Sequence, residues 1–65
     1  MNVQVENVGD VTILKPSGAL DAGTSKQFKT EAAPVAAETR KLLVDLSALQ
    51  IIDSSGLAVV LSLLR

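Results

Sequence analysis

Asp53-Ser54-Ser55-Gly56 sets an acid, two hydroxyls and a glycine between an apolar run ending at Ile52 and another beginning at Leu57. Three chemistries could use such a group. Asp53 or Ser54 could cap a helix, a side-chain oxygen accepting a first-turn N–H while Gly56 lets the backbone turn closely. One serine could carry a phosphoryl group, since free N–H groups and the positive end of a helix dipole accommodate a phosphate. A serine could act as a nucleophile, but the chain has no His to serve as base. Nor does a Gly-x-Ser-x-Gly or Ser-x-x-Lys pattern involve these serines. Asp45 and Asp53 could hold Mg²⁺ if strand ends brought them together, but carboxylates at this spacing are common and no metal is expected. The glycines Gly9, Gly18, Gly23 and Gly56 form neither a Walker loop nor a Gly-x-Gly-x-x-Gly turn, so no nucleotide cofactor is implied. A second polar turn, Gly18-Ala19-Leu20-Asp21, reads as a strand-to-helix connection with Asp21 as its cap.

The elements that must position these groups belong to a chain of 65 residues with net charge −1 and six Lys and Arg. That balance offers no basic surface for nucleic acid. With no Cys and no His there is neither a disulfide nor a zinc site, and the lack of Cys fits a cytosolic protein. The N-terminus has no cationic start and no long apolar core, so it is not a signal peptide. The C-terminal apolar run is too short to span a bilayer. A soluble, cytoplasmic protein is expected. Phe28 is the only aromatic residue, so the core must be Val, Leu, Ile and Ala, and no aromatic platform exists for bases or sugars.

Val3, Val5 and Val8 against Gln4, Glu6 and Asn7 have the period of a half-buried strand, and Gly9-Asp10 suits a tight hairpin. Val11 to Lys15 is again strand-like, with Pro16-Ser17-Gly18 expected to stop it. Ala22 to about Glu38 is rich in helix formers, with Phe28, Ala32, Val35 and Ala36 on one face. Pro34 is expected to end that helix near Ala32 or to kink it. Leu42 to Leu46 reads as a short strand covered on both faces, and Ser47 to Gln50 as a connector. Ile51-Ile52 then steps into the polar loop. From Leu57 on, Leu57, Val60, Leu61 and Leu64 make one helical stripe, and the helix is apolar nearly all round.

The order is β-β-α-β-α, with a right-handed crossover making the third strand parallel to the second. The chain stops about two to three turns into its last helix, and no further strand shields the third strand's outer edge. These features predict a domain cut short, or a homo-oligomer formed through that edge and helix.

Taken together, the two loops at this separation resemble the STAS domain, the family of bacterial anti-sigma-factor antagonists and relatives. Val11-Thr12-Ile13-Leu14 leading to Ser17-Gly18-Ala19-Leu20-Asp21 is similar to the family's second strand and Gly-x-Leu-Asp turn. Leu43-Val44-Asp45-Leu46-Ser47 resembles its central strand, and Ile52-Asp53-Ser54-Ser55-Gly56-Leu57 its signature loop. The resemblance covers residues 1–65 and implies the N-terminal part of a single STAS-like α/β domain, a mixed sheet with helices packed on one face. It further implies a partner anti-sigma factor with serine kinase activity, which phosphorylates the serine after the Asp, here Ser54, and a phosphatase that resets the switch. The unphosphorylated form would bind the anti-sigma factor and free the sigma factor, a role in transcription regulation of the stress-response or sporulation type. Asp53, Ser55 and Gly56 would shape the loop, and Asp21 would line the same end of the sheet as a partner contact. No catalysis by the chain itself is implied. An alternative keeps the fold as the accessory subunit of a lipid-transport ATPase, and another is a self-associating fragment without activity.

Overall fold

Gly9, at φ 62°, turns the chain back on itself and starts the sheet. The structure is a computed structural model that describes residues 1–64. Strands β1 (Asn2–Val8) and β2 (Val11–Leu20) pair antiparallel, from Val8 opposite Val11 to Asn2 opposite Ser17. Helix α1 (Ser25–Glu38) crosses over to β3 (Lys41–Val44), which lies parallel to the first part of β2. A further strand, β4 (Leu49–Ile52), lies parallel to the last part of β2, and α2 (Ser54–Leu63) follows. The order is therefore β-β-α-β-β-α, and β2 is the strand that pairs with all three others.

Three expectations about the strands are corrected. The second strand does not stop at Pro16 but runs to Leu20. The Leu14 carbonyl accepts from Asp45 and Gly18 donates to Ala48, so Pro16, between them, faces the stretch where β3 has ended and β4 has not begun. A residue without an N–H costs the ladder nothing there. Gly18, at φ 92°, takes up the irregularity where the β2–β4 register shifts. Ser47 to Gln50 is not merely a connector either. The Asp45 carboxylate accepts from Ser47 N–H at 2.9 Å, and Leu49 N–H donates to the Leu46 carbonyl, which turns the chain sharply and lets Leu49 rejoin β2. Finally, β3 is covered on one face only: Leu42 and Val44 pack toward the core, while Leu43 is 49% exposed.

Leu14, Leu20, Phe28, Ala32 and Val60 form the buried core, with Val44 and Leu49 packed against it, so strands and both helices share one interior. Phe28 and Ala32 are the buried residues of α1, as their spacing predicts. Pro34 neither ends nor interrupts that helix. It is exposed, so the Thr30 carbonyl that loses its partner can turn to water. The helix starts later than expected, at Ser25 rather than Ala22, with Thr24 and not Asp21 at the cap position. In α2 the expected stripe is rotated. Gly56 and Val60 are buried, Val59 and Leu63 pack against the core, and Leu57, Leu61 and Leu64 stay about half exposed.

Candidate partner-binding and phosphorylation site

Two connections meet at one end of the sheet, the turn after β2 and the turn after β4. They meet because β2 and β4 are parallel neighbours whose last paired residues are Leu20 and Ile52. One residue on, Asp53 donates its N–H to the Leu20 carbonyl at 3.2 Å. Asp21 and Asp53 are thus the first residues past the ends of adjacent strands.

Asp53 is the cap of α2, as the sequence suggests. Its Oδ1 accepts the Gly56 N–H at 3.0 Å, satisfying one of the orphan donors of the first turn. Its Oδ2 accepts the Ala22 N–H at 3.1 Å, across to the other connection. Ser54 follows as the first residue of the helix and is exposed, whereas Ser55 is half-buried and Gly56 is buried. Among the described residues no side-chain hydrogen bond engages either serine hydroxyl. The N–H groups of Ser54 and Ser55 belong to a helix's first turn, where no intrahelical acceptor exists. The Ser54 hydroxyl therefore stands free beside two donors and the positive end of α2.

Asp21 has a different role from the helix cap expected of it. Its Oδ1 accepts from Gly23 N–H at 2.9 Å and Thr24 N–H at 3.2 Å, folding residues 21–24 into a tight turn. Thr24 closes that turn. Its hydroxyl donates to the Ala19 carbonyl at 2.8 Å and accepts the Asp21 N–H at 3.0 Å. A threonine three residues after an aspartate was the available signal. The Ala22 N–H held by Asp53 had no signal at all, because a backbone group carries no residue code.

No Lys or Arg lies between Pro16 and Ser25 or between Leu42 and Leu64. The two connections therefore present Asp21 and Asp53 without a cation of their own. Asp45 stands apart, before β4, where the Ser47 hydroxyl and backbone N–H hold its carboxyl below its ordinary value and Lys15 adds a weaker pull. Asp45 and Asp53 are each engaged by amides, and among the described residues no three potential ligands group around a metal position.

A mixed sheet with helices on one face, and two strand-to-helix connections gathered at one end of it, define the class of domain. Residues 2–65 match the STAS domain, and the chain belongs to that family. Solved structures agree. An anti-sigma factor antagonist from Mycobacterium paratuberculosis superposes with a TM-score of 0.90 at 26% identity, covering 97% of this chain and 55% of its own. The anti-sigma factor antagonist SpoIIAA in its unphosphorylated form gives 0.73 at 22% identity, over 98% of this chain and 61% of that one. SpoIIAA of Bacillus in the phosphorylated form gives 0.72 at 22% identity, over 98% and 60%. At that identity the SpoIIAA likeness speaks for the fold alone. The chain spans between 55% and 61% of the length of these three structures. No curated protein gives a significant sequence match.

Proposed function

We propose that these residues are the N-terminal part of a STAS domain that acts as a phosphorylation-switched anti-sigma-factor antagonist in the cytoplasm. Ser54 is the phosphoacceptor, and Asp21, Asp53, Ser54, Ser55 and Gly56 form the contact surface. The observation that carries this reading is the exposed Ser54 hydroxyl at the first position of α2, next to a carboxylate already committed to two amides. Its partner is an anti-sigma factor with serine kinase activity, and a phosphatase reverses the modification. The kinase supplies nucleotide and metal, so the chain needs no catalytic constellation of its own.

In the unmodified state, the partner meets two loops bearing carboxylates and small side chains. Phosphorylation adds about −1.5 to −2 charge at Ser54. The fold carries that charge on the first-turn amides, but a partner surface matched to a neutral hydroxyl must now desolvate it or release.

The test is incubation with a purified anti-sigma serine kinase and Mg-ATP, followed by peptide mapping. A gain of about 80 Da on Ser54, abolished in Ser54→Ala, retained in Ser55→Ala and accompanied by loss of kinase binding, is the expected result. A folded chain that is never modified would overturn the reading. If that chain docked instead on the ATPase subunit of a lipid transporter, the transport-accessory reading would replace it.

A further inference from the structure

The two connections are joined twice. The first link, Asp53 N–H to the Leu20 carbonyl, is backbone to backbone and ends the sheet. The second reaches past the sheet, where no ladder can hold the chain: Asp53 Oδ2 accepts the Ala22 N–H while Oδ1 keeps the cap of α2. A single carboxylate thus spans from the start of α2 to the turn that Asp21 and Thr24 build. Two acceptor oxygens on one planar group are needed for this, since each is occupied by a different amide. A serine or threonine cap would serve Gly56 and leave Ala22 unheld.

We propose that Asp53 is a positioning residue that locks the Ala22–Thr24 turn to the start of α2, so that Asp21 and Ser54 meet a partner as one rigid surface. The inference rests on the partner-binding reading above and adds to it how the surface is held. Ordering a loop before binding removes an entropic cost from the complex. The half-buried Asp53 side chain, and not its exposed neighbour Ser54, makes the side-chain link between the two loops.

Asp53→Asn separates the two functions of the side chain. Asparagine is as good a helix cap as aspartate, so its amide oxygen can still accept from Gly56. Its NH₂ group then faces the Ala22 N–H, donor against donor, and the bridge is lost. Amide hydrogen exchange followed by NMR should show Ala22, Gly23 and Thr24 exchanging at least about tenfold faster, with Gly56 nearly as protected as before. With a serine kinase that phosphorylates the wild-type chain, KM for this chain should rise about tenfold or more with kcat little changed. In the exchange measurement Asp53→Ser, which keeps a cap and cannot bridge, should behave alike. Unchanged exchange at Ala22 would overturn the bridge. Faster exchange with an unchanged KM would show that the bridge exists but does not prepare the surface, and would overturn the proposal as stated. If no serine kinase acts on the wild-type chain, the partner reading fails, and the exchange measurement still decides whether Asp53 holds the turn.

Discussion

Gly56 rests directly on Leu20: a Cβ built on the glycine would fall 2.6 Å from Leu20 Cγ and closer still to the Leu20 carbonyl oxygen. That contact sets how near α2 lies to the end of β2, and it explains the rotation of the helix. Its innermost position is a glycine, so Val60 rather than Leu57 or Leu61 follows it into the core. The backbone oxygen cannot swing aside as a side chain would. Gly56→Ala is therefore expected to cost about 1–3 kcal/mol by overpacking, read as a lower urea midpoint with an unchanged slope. A midpoint equal to wild type would mean that α2 lies farther from β2 than described.

Phe28 is the only aromatic side chain and one of the fully buried ones. Truncation of a buried Phe to Ala costs about 3–5 kcal/mol, while small domains have only several kcal/mol in hand. Phe28→Ala should abolish the cooperative thermal transition seen by circular dichroism. Phe28→Leu should lower its midpoint and leave it cooperative.

Pro34 sits exposed inside α1 and removes one hydrogen bond from it. Because the helix continues on both sides, Pro34→Ala should restore the bond to the Thr30 carbonyl without disturbing the core. A gain of up to about 3 kcal/mol is expected, measured as a higher urea midpoint. A loss would mean that the proline shapes the helix for packing.

Asp45 couples the turn before β4 to pH. Its carboxyl titrates below the ordinary value in the folded chain because of Ser47, assisted by Lys15. A depressed folded-state pKa means the unfolded chain binds the proton more readily. The stabilisation is then fully present above about pH 4, the ordinary range of an aspartate, and fades as pH falls through the folded-state value. Asp45→Asn should be less stable than wild type at neutral pH, with the gap between their melting temperatures narrowing as the pH is lowered into the acid range where Asp45 takes up its proton. A gap independent of pH would assign the effect of the substitution to the turn's shape rather than to charge.

The polar loop was legible in the sequence because its chemistry is local. An Asp, two Ser and a Gly between apolar runs announce a helix start by residue type and spacing, and Asp53 caps α2 accordingly. The hairpin and the inner face of α1 were legible for the same reason, through Gly9 and the spacing of Phe28 and Ala32. What depended on a distant partner was not. β4 is four residues long and is a strand only because the Asp45 turn delivers it to β2. Pro16 looked like a stop, and is tolerated because of a gap between two other strands. Asp21 looked like a cap, but Thr24 and the Ala19 carbonyl recruit it into a turn. The bridge from Asp53 to Ala22 joins positions 31 residues apart, one of them through a backbone amide.

The place of β2 as the common partner of β1, β3 and β4 has a consequence for the order in which the chain assembles. Its pairing with β1 closes across a two-residue turn, a step that hairpins complete in microseconds. Its other pairings, Val11 with Lys41 and Ala19 with Ile51, join residues about thirty apart, and the entropy of closing such loops must be met before the contacts form. The hairpin is therefore the pairing that closes at the least entropic cost, and although a lone hairpin is only marginally stable, it offers one unpaired flank of β2 to the strands that follow. The later strands are templated on it one after the other, and only the last of them brings Asp53 within reach of the turn that β2 left behind.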